Sequence, residues 1–123
     1  VVLCSGKVYY DLLARAEEAG VNDVALVRVE QIYPFPQRSS TAELTKYPNA
    51  EVVWGQEESR NMGAWHFVDR RIEELLAAIE DVEMRASRPR YVGRIDSAAS
   101  ATGLLKRHLK EQATLVDEAL LLA

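Results

Sequence analysis

The chain has 123 residues, 48% hydrophobic and 28% charged, a globular composition that excludes the low-hydrophobicity, high-charge signature of disorder. Its 15 basic residues stand against 19 acidic ones, a formal charge of -4, and no Lys/Arg run is long enough to neutralise many phosphates, which argues against nucleic acid as a partner. The one cysteine, Cys4, excludes an internal disulfide and a multi-thiolate metal site and fits a reducing compartment, while every apolar stretch is too short to cross a bilayer. A chain of this length buries roughly 65% of its unfolded surface, so one domain with one core is expected. It opens on Val1 rather than Met and runs directly into a strand pattern, which reads as a cut end with no targeting peptide before it.

Val1-Val2-Leu3-Cys4 is an apolar run that ends at Ser5-Gly6, the pattern of a buried strand entering a turn. Val8, Leu12, Ala16 and Ala19 then recur at helical spacing with charged residues opposite, and Gly20 supplies the stop. Val24 to Val29 predicts a second strand, covered on both faces. Tyr33-Pro34-Phe35-Pro36 is a rigid crossing loop; Pro36 opens a helix that carries Leu44 inward and ends near Tyr47, before Pro48. Val52-Val53-Trp54 predicts a third strand, followed by a polar loop from Gln56 to Gly63.

The clearest helix has Trp65, Val68, Ile72, Leu75, Leu76 and Ile79 on one side and charged residues on the other. Pro89 introduces a fourth strand, Arg90 to Arg94. A small-residue loop from Ser97 to Gly103 leads to a last helix, whose Leu105, Leu109, Ala113, Val116 and Leu120 form the expected inner stripe. Four strands alternating with four helices predict a three-layer α/β fold on a mostly parallel sheet. In such a sheet the loops after each strand, at Ser5-Gly6-Lys7, 31–36, 56–63 and 94–103, emerge along one edge, where ligands and partner domains bind.

Several groups could carry chemistry, and each has a plainer reading beside it. Ser5-Gly6-Lys7 places a hydroxyl, an open backbone and a cation at a helix start that favours anions, but it lacks the glycine spacing of a P-loop, and Ser5 is first read as a helix cap. Arg90 and Arg94 share a strand face, and Arg94 opens onto Ser97, Ser100 and Thr102; this predicts either an anion pocket or inter-domain salt bridges. Glu57 and Glu58 adjoin on an extended segment, point to opposite sides and suit structure better than acid/base catalysis. His66 and His108 lie on different helices without partners at metal-ligand spacing. Cys4 reads as a core residue rather than a nucleophile, and Trp54 and Trp65 as core or interface aromatics.

Taken together, VVLCSGKVYYDLL, VRVEQIYPFP, VVWGQEESRNMGAW and YVGRIDSAASATG resemble, in order, the C-terminal domain of the decarboxylating component of 2-oxoglutarate dehydrogenases. The resemblance extends from Val1 to about Leu122. It implies a transketolase-type C-terminal domain of four to five strands. It also implies a parent enzyme whose thiamine diphosphate and magnesium are held by other domains, in a homodimer that passes succinyl groups to a lipoyl-bearing succinyltransferase. The bacterial cytoplasm or the mitochondrial matrix is the implied location.

Ser5, Gly6, Lys7, Gln56, Glu57, Glu58, Asn61, Gly63, Trp65, Arg94, Ser97, Thr102 and Gly103 match family motif positions. Ser59, Ile95-Asp96 and Ala99-Ser100 depart from a more proline-rich pattern. No catalytic, cofactor-binding or metal residue is expected within the chain. Alternatives are a regulatory module for an adenine nucleotide or acyl-coenzyme A, using Lys7, Arg94 and the 97–102 loop, and the same domain of a 2-oxoadipate dehydrogenase.

Overall fold

The computed structural model describes residues 1–99 and 103–122. Strands β1 (Val2–Cys4), β2 (Leu26–Arg28), β3 (Val53–Ser59) and β4 (Arg90–Arg94) alternate with helices α1 (Val8–Ala19), α2 (Gln37–Leu44), α3 (Trp65–Ala78) and α4 (Leu105–Ala119). All strand pairs are parallel, in the order β2-β1-β3-β4, with Val2 opposite both Leu26 and Val53.

Two apolar layers lie against the sheet where a single core was expected. Val2, Cys4, Val53 and Val92 pack with Val8 and Leu12 of α1 and Leu115 and Val116 of α4. Leu3 and Trp54 pack with Leu44 of α2 and Val68, Ile72 and Leu75 of α3. The period of two along each strand sends neighbouring side chains to opposite layers, so Val2, Leu3 and Cys4 of β1 and Val53 and Trp54 of β3 are apolar and buried on both faces.

Three local readings change. β2 is an edge strand of only three residues, half-buried to exposed, rather than a strand covered on both faces. β3 continues through the predicted polar loop to Ser59. The reason is Gln56, whose side chain lies in the α3 layer beside Trp54 at 3% exposure. Its Oε1 accepts from Trp54 Nε1 at 2.9 Å and from the Trp65 backbone N–H at 3.1 Å, and its Nε2 donates to Ser59 O at 3.0 Å and Met62 O at 2.8 Å. One amide thus satisfies an indole, two turn carbonyls and a free N–H at the start of α3, which no side chain of the N-cap residue Ala64 supplies. Gly63 completes the turn at φ 65°, where a Cβ would lie 2.9 Å from Glu58 Oε2 and 3.1 Å from Gln56 Nε2.

The third change is in α4. Its buried residues are Leu115, Val116 and Ala119, with Leu120 just beyond, whereas Leu105, Leu109 and Ala113 of the expected stripe are exposed. The inward positions of its first half are His108, Glu111 and Gln112, each half-buried. The helix is therefore turned by about one residue from the apolar pattern, and the polar seam below its first half accounts for the turn.

Cys4 and Tyr91 give the fold a defined alkaline limit. Burial, reinforced by the Glu30 charge, pushes the Cys4 thiol from 9.0 up to about 12, and burial pushes the Tyr91 phenol from 10.0 to about 12. Between those limits the unfolded chain has lost protons that the folded chain retains, so stability falls as pH rises from about 9 to about 12. Urea midpoints should drop between pH 8 and pH 11, and drop less in Cys4→Ala. Replacing Gln56 with Leu strands several buried polar groups, at about 1–3 kcal/mol for each left unpaired. The same titration should show a loss of at least about 2 kcal/mol, far more than for a surface glutamine.

Candidate functional site

The carboxyl ends of the strands form one edge, and the strand order reverses between β1 and β3, the place where such sheets usually leave a crevice. Here side chains fill that place. Lys7, the N-cap residue of α1, reaches Asp11 Oδ2 at 2.7 Å and Glu57 Oε1 at 3.7 Å. The hydrogen bond to Asp11 is the main reason the Lys7 ammonium titrates above its usual range. Gln112 of α4 donates to both carboxylates, at 2.9 Å to Asp11 and 3.0 Å to Glu57. No side chain caps α1, so the expected Ser5 cap is absent.

Arg94 ends β4 beneath α4, its side chain only 9% exposed. Its guanidinium donates to Glu57 O, to Gln112 Oε1 at 3.0 Å and to His108 O at 3.3 Å. Its Nε is buried without a hydrogen bond, 3.6 Å from the Glu111 carboxylate. Asp11, Glu111 and Gln112 belong to this cluster and were not among the sequence candidates, and His108, read there as a surface or helix-packing histidine, joins it. Gln112 and Asp11 lie 101 residues apart, and only the packing of α4 against α1 brings them together.

The other candidates divide. Arg90 is at the opposite end of β4, paired with Glu51, so the two arginines share a strand without sharing a pocket. Four residues of strand separate them by about 13 Å, which a common small anion cannot bridge. Asn61 joins the neighbouring loop, accepting from Ser97 N–H at 3.0 Å and donating to Ser97 O at 2.8 Å. Glu57 faces α1 and α4 while Glu58 lies over Gly63, consistent with the opposite directions expected of neighbours. Trp54 and Trp65 are both core residues, and His66 is exposed. Ser100 and Thr102 lie outside the described residues. A cleft of about 200 Å³ lies beside Arg94, lined among others by Ser97, Arg107, Asp96 and Glu111, so its two cations face two anions. Among the described residues no group of three His, Cys, Asp or Glu side chains could hold a metal ion.

Around this filled centre the edge is apolar and open. Ile95, Leu104, Leu105 and Leu109 are 59–77% exposed, and Tyr33, after which the chain takes a cis bond to Pro34, is 80% exposed while resting edgewise on Phe67. Exposed Asp96, Lys106, Arg107 and Lys110 are interleaved with these apolar side chains, and clustered exposed apolar groups mark contact surfaces.

The described residues thus form a three-layer parallel α/β domain whose switch point is closed by its own side chains. The chain is a member of the 2-oxoglutarate dehydrogenase C-terminal family, whose model matches residues 1–120. Over 120 residues, 98% of this chain, it is 50% identical to the 2-oxoglutarate dehydrogenase E1 components of Brucella anthropi and Brucella melitensis biotype 2. The chain spans 12% of the length of these relatives. No helix among the described residues is long and apolar enough to cross a membrane.

Arg94→Ala should cost about 2–4 kcal/mol in urea unfolding, because Gln112 and the carbonyls of Glu57 and His108 lose their donor. Arg94→Lys should recover less than half, since a single ammonium cannot reproduce the planar fork.

Proposed function

We propose that this domain is the C-terminal bracing module of a thiamine-diphosphate-dependent 2-oxoglutarate dehydrogenase, residues 1–123 forming one transketolase-type unit. The parent enzyme decarboxylates 2-oxoglutarate and delivers a succinyl group to the lipoyl arm of a succinyltransferase, as a homodimer in the bacterial cytoplasm or mitochondrial matrix. Family membership supports the parent activity. The apolar rim of Ile95, Leu104, Leu105 and Leu109 carries the bracing role.

The described residues of this domain do not fit the cofactor. Thiamine diphosphate needs a divalent ion at its diphosphate, and the described residues offer no cluster of metal ligands. The terminal nitrogens of Arg94 are engaged by Glu57, His108 and Gln112, and its Nε lies 3.6 Å from the Glu111 carboxylate, which would repel a phosphate there. Cofactor chemistry is therefore assigned to other parts of the enzyme. This domain contributes position: Lys7, Asp11, Glu57, Arg94 and Gln112 hold the carboxyl edge rigid so that its rim presents a fixed surface.

The test separates docking from folding. An exposed Leu→Asp change costs the isolated domain within about 0.5 kcal/mol. Buried in an interface, the same charge costs several kcal/mol. Leu105→Asp with Leu109→Asp should therefore leave the domain's own unfolding midpoint nearly unchanged. In the complete enzyme the pair should lower 2-oxoglutarate decarboxylation by at least about tenfold. Full activity in that variant, or tight thiamine diphosphate binding by the 123-residue chain, would contradict the proposal.

A further inference from the structure

The front half of α4 stands apart from the rest of the surface in charge as well as in polarity. Residues 104–110 hold Lys106, Arg107 and Lys110 and no Asp or Glu, in a chain whose formal charge is -4. All three cations are exposed, and so are Leu104, Leu105 and Leu109. Arg107 is balanced, since it lies 3.8 Å from the Glu111 carboxylate and shares a cleft with Asp96. Lys106 and Lys110 have no acidic partner among the described residues. No side chain caps the start of α4, so its free N–H groups add to the positive potential at that end.

Spacing turns this composition into a pattern. Leu105 and Leu109 are four apart, as are Lys106 and Lys110, so a leucine stripe and a lysine stripe run side by side along the helix. A face meant only for water mixes charges of both signs and keeps its leucines inside. The back half of α4 follows that rule, with Asp117 tied to Arg15 and Leu115 in the core.

We infer that the front half of α4 seats an acidic amphipathic helix from another part of the same, longer polypeptide, whose apolar stripe covers Leu105 and Leu109 and whose carboxylates meet Lys106 and Lys110. This deepens the proposed bracing role and rests on it. The chain spans 12% of the length of its relatives, so most of their polypeptide lies outside the match and is available to supply the helix. Charge argues against a second copy of the same face, because a two-fold pairing would set the lysine stripe against itself. Backbone chemistry argues against an extended segment, since the helical peptide groups of α4 are satisfied internally and offer no ladder. The leucines supply the contact area, and the lysines select the partner.

A water-soluble carbodiimide joins a lysine amine to a carboxylate in ion-pair contact as an amide, so peptide mapping of the treated complete enzyme reads the partner directly. Lys7 is the internal reference, because its ammonium lies 2.7 Å from Asp11 and 3.7 Å from Glu57. Lys106 and Lys110 should couple to Asp or Glu outside residues 1–123, in a segment with apolar residues at helical spacing from the coupled carboxylates. Lys106→Gln with Lys110→Gln barely alters helix propensity. In the complete enzyme this pair should speed exchange of the His108 and Leu109 amides about tenfold, the worth of two rim charge pairs. Coupling at Lys7 with none at Lys106 and Lys110 would overturn the inference. So would coupling of the two lysines to residues 1–123 of an isotope-labelled second copy, which would put a copy of this domain in place of the helix. Decarboxylation of 2-oxoglutarate reports separately on the bracing role: activity lost in the Leu105→Asp, Leu109→Asp enzyme, with Lys106 and Lys110 uncoupled in the unmodified one, keeps the brace and removes the acidic helix.

Discussion

Arg94 carries a permanent charge beneath a helix, and that placement constrains everything around it. A buried guanidinium needs acceptors, and its terminal nitrogens find them in the Glu57 carbonyl of β3 and the His108 carbonyl and Gln112 amide of α4, while Nε lies 3.6 Å from the Glu111 carboxylate without a hydrogen bond. The first half of α4 must therefore be polar on its inward side. Its leucines at 104, 105 and 109 are turned out to solvent as a consequence, while the second half closes on the sheet with Leu115, Val116 and Ala119. A single cation thus both fastens α4 and creates the apolar rim.

The same seam explains why the switch point between β1 and β3 is closed. Lys7, Asp11, Glu57 and Gln112 link α1, β3 and α4 through charge-assisted hydrogen bonds, and Arg15 of α1 adds a second tie to Asp117 of α4 at 2.9 Å. In many parallel α/β domains this position is left open for a ligand. Here Lys7, Asp11, Glu57 and Gln112 are already paired with one another. Gln56 has an analogous place on the other face, where one uncharged amide joins β3, its turn and the start of α3 without the desolvation cost of a charge.

The elements with strong local signals were legible in the chain. α3 was read within one residue of its observed end from its apolar spacing alone, and the Gly20 stop of α1 is seen as a left-handed residue at φ 68°. Cys4 as a core thiol and the opposed directions of Glu57 and Glu58 also followed from position and period. The length of β3 did not, because Gln56, Glu57 and Glu58 look like loop residues until the partners of Gln56 are known. The α4 stripe misled for a related reason: the leucine spacing is regular, but regular spacing does not say whether a face meets the core or a surface.

What the sequence by itself determined is the α/β alternation, the four strands, the family and the residues from which the carboxyl edge is built, because hydrophobic period, turn residues and motif strings are local properties. Only the tertiary structure decided that Arg90 and Arg94 serve different ends of the sheet, that Gln112 meets Asp11 and Glu57, and that the front of α4 shows its apolar side to solvent. Those outcomes depend on which groups a buried charge finds within hydrogen-bonding distance once distant segments pack, and no short-range pattern along the chain encodes that.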